Sequence, residues 1–165
     1  SWWETAFYLG IFSVLLIIFV YDLKYMEIPM IAVWLGTVWV ITYWLTFDLM
    51  NWNLQDRFTD FKIFSSLLYG FVAFLFFYAI SYFSKEKWMG WGDVKLGLFL
   101  GLVLGFPAII ISLLSSYIIG AVIGVVLIAL KIKKRKDPIQ FAPFLVLGFF
   151  IALFWGKQIL EWYLK

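Results

Sequence analysis

Five apolar stretches, each close to the length of a bilayer span, constrain this 165-residue chain more than any other feature. They run from Phe7 to Tyr21, Ile28 to Phe47, Phe64 to Phe83, Pro107 to Leu130, and Phe141 to Trp155, the last with an amphipathic extension. A helix needs roughly 20 apolar residues to cross the hydrocarbon layer. A sixth stretch, Val94 to Phe106, is shorter. At about 1.5 Å per residue it spans only about 20 Å of a roughly 30 Å layer. One of its ends must therefore lie below the membrane surface, shielded by protein or a wet cleft. With 65% hydrophobic and only 14% charged residues, the solvent for most side chains is lipid. The expected fold is an all-α, polytopic bundle of about six transmembrane helices. No connection is long enough to fold alone, so residues 1–165 are expected to form one membrane-embedded domain. No cleavable signal peptide is expected, because no basic residue precedes the first stretch and no small-residue cleavage site follows it.

The cations fix an orientation. Six spans place Lys24, Lys85, Lys87, Lys95, Lys131, Lys133, Lys134, Arg135 and Lys136 on one side, nine in all. Arg57, Lys62, Lys157 and Lys165 make four on the other. The positive-inside rule puts the richer side in the cytoplasm and both termini outside.

The chain has neither cysteine nor histidine. That removes thiolate nucleophiles, imidazole bases and most zinc or haem sites, so no metal or cofactor is expected. The basic loop alone does not make a nucleic-acid-binding surface.

Two of the ten acidic residues sit where burial is costly. Asp22 follows a fifteen-residue apolar run, and Asp93 opens the short stretch. Under the topology above, both fall on the cytoplasmic side. Charges at membrane depth face a cavity or a partner. Two carboxylates in one wet pocket cannot both ionise cheaply, so they share a proton and can work as base and acid on water and a carbonyl. Each also has a plain reading: Asp22 as a solvated helix end, Asp93 as an N-cap. Gly97, Gly101 and Gly105, four residues apart, let α-helical backbones approach closely, and Gly120 and Gly124 do the same in the next span. Asp93 lies on that same stripe, which would hold it near another helix.

Local motifs decide between these readings. Gly90-Trp91-Gly92-Asp93 is a Gly-x-Gly-Asp sequence, followed by Val94, Lys95 and Leu96. Asp22 is followed by six residues and then Pro29. Near the last span stands Ile139-Gln140-Phe141-Ala142-Pro143-Phe144. These three blocks, in this order, resemble the type IV prepilin peptidase family, which includes the archaeal preflagellin peptidases and belongs to the Gly-x-Gly-Asp membrane aspartyl proteases. The resemblance implies that Asp22 and Asp93 are catalytic. It also implies that the substrate is a prepilin-like or preflagellin-like precursor with a short basic leader. Gly90 and Gly92 would let the backbone take unusual angles and let a substrate strand approach. Pro29 would shape the loop, while Lys95 and Glu27 would meet substrate or stay solvated.

The sequence departs from the family pattern at Met30, where Asn or Asp is common, and at Gln140 and Ala142, which replace Pro and Gly. Many bacterial members carry a cysteine-paired domain associated with N-methylation, so methyl transfer is not expected of a cysteine-free chain. The alternatives are an inactive membrane scaffold or assembly factor of a pilus or secretion system, and a small proton-coupled transporter. Glu86 is a further candidate for the basic leader. Ser84 with Lys85 or Lys87 suggests a serine–lysine pair only by adjacency. Asp48, Asp56 and Asp60 fall on the opposite side from Asp22 and Asp93.

Overall fold

The computed structural model describes residues 2–52, 61–86, 89–134 and 139–163. Among them are six α-helices: α1 (Trp2–Tyr25), α2 (Met30–Met50), α3 (Lys62–Ser84), α4 (Trp91–Leu104), α5 (Ala108–Ala129) and α6 (Ala142–Tyr163). The Asp56, Arg57, Asp60, Lys87, Arg135, Lys136 and Lys165 readings lie outside the described residues. All helices but α4 are long and apolar enough to cross a membrane. Their outer faces carry large apolar side chains such as Leu16, Leu35, Val122 and Val125, which only lipid can solvate. The protein is therefore a multi-pass membrane protein.

The 14-residue α4 sits in the middle of the bundle, touching α2, α3, α5 and α6. Half of it is buried, including Val94, Leu96, Phe99 and Leu100. Its short reach is tolerated because other helices, not lipid, surround it. Clefts of about 420 Å³ and about 440 Å³ flank its N-terminal and C-terminal ends.

Glycines set the helix spacings. A Cβ on Gly101 would stand 2.8 Å from the Ala73 Cβ and the Tyr69 carbonyl oxygen of α3. One on Gly97 would overlap Phe77 of the same helix. Ser66 of α3 adds a hydrogen bond to the Leu102 carbonyl at 2.6 Å. Across α5 and α6, Gly120 receives the Phe144 ring, while Gly148, which the stripe reading did not single out, abuts Ser112 and Ser116. Gly36 of α2 seats the fully buried Phe99 ring of α4. Gly105 ends α4 with φ +64°, a conformation that favours glycine.

Asp22 lies at a helix end as expected, in the last turn of α1, which continues to Tyr25. Asp93, by contrast, is not the N-cap of α4. Gly90 is the N-cap and Asp93 the third helical residue, its carboxylate reaching back to the Gly90 amide at 3.3 Å. It supports the helix start from inside the first turn, where a negative group meets the positive end of the dipole.

Candidate active site

The cleft at the N-terminal end of α4 is built from all three connections expected on one side of the membrane. Met26, Glu27 and Ile28 come from the α1–α2 link, Gly90 from the α3–α4 link, and Ile139 to Phe141 from the entry to α6. Asp22 and Asp93 line it together. Its volume of about 420 Å³ falls in the ~300–1,000 Å³ range typical of ligand sites.

The local sequence explains how each carboxylate gets there. The apolar run of α1 buries Ile11, Leu15 and Ile18, and Asp22 continues that stripe at helical spacing. It is therefore carried inward, to 5% exposure. Its Oδ2 is buried and makes no hydrogen bond among the described residues. Such an acceptor is costly to bury unless water or a proton reaches it. Asp93 is half-buried on the facing wall, within electrostatic reach of Asp22 and of Tyr117 on α5. The glycine stripe does not bring these two acids together. It presses α4 onto α3, whereas Asp22 belongs to α1.

Gly90 and Gly92 do not take the unusual backbone angles expected of them. Gly90 has extended backbone angles open to any residue (φ −78°, ψ 161°). Its value is space, since a Cβ there would meet only the Asp93 carboxylate, at 3.9 Å. Gly92 is helical, and a Cβ on it would crowd Ile28 at 3.0 Å. It lets the α1–α2 link lie against the start of α4.

Of the other candidates, Glu27 lines the cavity. Pro29 is not among its lining residues and instead caps α2, its carbonyl accepting from Val33. Lys95 is half-buried on α4 and does not line the cavity either. Glu86 is exposed in a left-handed turn after α3. Ser84 donates to the Ser81 carbonyl of its own helix. Asp48 is buried away from the cavity, accepting from the Lys62 and Ile63 amides at 2.9 and 2.7 Å and so capping α3. Sequence reasoning missed the apolar walls Met26, Ile28, Met30 and Phe141 as site residues, although each adjoins one of the three motif blocks. No group of three or more metal-ligating side chains is found among the described residues.

Residues 9–125 match the profile of the type IV leader peptidase family, a span that includes both Asp22 and Asp93. The chain belongs to that family. It is 39% identical to the prepilin leader peptidase/N-methyltransferase of Aeromonas salmonicida over 94 residues, covering 57% of this chain and 32% of that protein. The Aeromonas hydrophila protein of the same name is 33% identical over 145 residues, 76% of this chain and 50% of the relative. The Bacillus subtilis one is 27% identical over 153 residues, 93% and 57% respectively. The chain thus matches between a third and somewhat over half the length of these relatives. No solved structure matches it.

Proposed function

We propose that this chain is a membrane aspartyl endopeptidase that removes the short basic leader of type IV prepilin-like or preflagellin-like precursors. Asp22 and Asp93 are its catalytic pair. The observation that carries the reading is the shared cavity: two acids from different helices face one space large enough for a peptide.

The pair holds one proton between them, because low-dielectric walls make two adjacent negative charges costly. The ionised member takes a proton from water as the water oxygen bonds to the scissile carbonyl carbon. The protonated member gives its proton to the carbonyl oxygen. When the C–N bond breaks, one carboxyl protonates the leaving amine and the other recovers a proton from the gem-diol, restoring the starting state. The roles belong to the pair and are not divided between Asp22 and Asp93. The bare Gly90 leaves room for an extended peptide beside Asp93. Glu27, a third carboxylate on the same wall, attracts the basic leader.

Residues 1–165 act as one unit, since a single core cluster draws on all six helices. The cavity opens to the cytoplasm under the positive-inside rule, with both termini outside. The proposed reaction is hydrolysis. The N-methyl transfer in the relatives' names is not carried over, because the resemblance ties it to paired cysteines and the sequence has none.

Purified protein in detergent, incubated with a model prepilin, should yield a faster-migrating product whose new N-terminus, by mass spectrometry, follows the leader. An intact precursor beside folded protein would favour the scaffold reading.

A further inference from the structure

The last turn of α1 carries Asp22 and also carries carbonyls that no helical amide can satisfy. Met26, in a left-handed conformation (φ 57°), donates its N–H to the Asp22 carbonyl at 2.8 Å and closes the helix. A second donor comes from the far end of the chain. The Gln140 side-chain amide lies 3.1 Å from the Asp22 carbonyl oxygen and 3.4 Å from that of Leu23. Its two N–H groups match these two acceptors.

Gln140 itself is held on both sides. Ile139 reaches to 3.4 Å from where a Cβ on Gly124 of α5 would stand. The Phe141 ring lies 5.1 Å from that of Tyr117, also on α5. This strap is anchored to the α5–α6 pair and extends one polar arm across to α1. Such an arm matters for Asp22, whose Oδ2 makes no hydrogen bond among the described residues. The last turn of α1 carries that carboxyl inward on the stripe of Ile11, Leu15 and Ile18, so a shift of that turn moves the acid.

We propose that Gln140 is a positioning residue. By donating to the Asp22 and Leu23 carbonyls it fixes the end of α1 against the entrance of α6, and so sets the separation of Asp22 from Asp93 across the cavity. The catalytic consequence rests on the aspartyl peptidase reading; the tie between the helices does not. Proline, expected here by family resemblance, has no donor to make this bond. The arrangement is thus particular to the Gln140 variant of the third block.

The test has two arms. In the first, Gln140→Ala and the similarly sized, donor-free Gln140→Met are assayed for precursor cleavage. The expected result is a fall in kcat of about tenfold with KM within about twofold, since small displacements of a reacting group cost up to about a hundredfold. In the second, spin labels are placed on Tyr25→Cys and Trp91→Cys. Both sites are exposed, on the helices that carry the two acids, and the background is cysteine-free. The inter-label distance distribution should be narrow with Gln140 and broad or shifted in both variants. Unchanged kcat together with an unchanged distribution would overturn the proposal, as would a kcat loss that merely tracks a loss of folded protein. Absence of cleavage by the parent protein would instead overturn the peptidase reading, leaving the spin-label arm to decide the tie.

Discussion

Replacing Gly101 by alanine adds a single methyl group at the tightest backbone contact between α3 and α4. The new Cβ would stand 2.8 Å from the Ala73 Cβ, 2.8 Å from the Tyr69 carbonyl oxygen and 2.9 Å from the Gly70 Cα. Comfortable contacts begin near 3.5 Å, so these fall short by roughly 0.6–0.7 Å. None of these atoms can rotate away, because two are backbone and the third is a methyl on Cα. The helices must separate instead. Overpacking of this kind costs about 1–3 kcal/mol, here near the upper end, and better helix propensity returns about 1. The net loss is about 2 kcal/mol, or roughly 4–8 °C in Tm for a chain of this size. Gly124→Ala is the control: its nearest neighbour is the flexible tip of Ile139 at 3.4 Å, so its Tm should hold or rise slightly. Thermal unfolding in detergent reads both. Equal Tm for the two variants would refute the close-packing argument. Because α4 carries Asp93, Gly101→Ala should also lower kcat in the protein that remains folded.

Asp48→Ala removes the carboxylate that receives two amides at the start of α3. It should cost about 1–3 kcal/mol in thermal unfolding, while Asp48→Asn, which keeps one acceptor, should cost less and still cleave. Lys85→Gly relieves a left-handed residue (φ 51°) after α3 and should stabilise by about 1 kcal/mol, seen as a higher Tm. Glu27→Lys reverses one charge on the cavity wall and should raise KM for a basic leader about tenfold or more. A substrate with an uncharged leader should be far less affected, as initial-rate assays will show. Cleavage in ¹⁸O-labelled water should place one label in the released leader's carboxylate.

Much of the fold is legible because lipid imposes a simple rule of length and polarity. The six helices fall within a few residues of the apolar stretches, and the short stretch is indeed the shielded central helix α4. The site is legible through its three motif blocks, each of which reaches the same cavity. What local pattern could not give is the contact that spans the chain. Nothing near Gln140 announces that its amide meets carbonyls more than a hundred residues away. Nor does Gly92 betray that the atom it makes room for belongs to Ile28. Nor does an aspartate before an apolar run say which residue is the cap: Gly90 takes that place, and the Asp93 carboxylate serves it from inside the first turn of α4.

A double-mutant cycle on precursor cleavage tests the pairing of the two acids most directly. Asp22→Asn and Asp93→Asn should each reduce kcat to background in folded, membrane-inserted protein, and the double variant should fall no further, as groups that act as one unit behave. Substantial cleavage by either single variant would contradict the account.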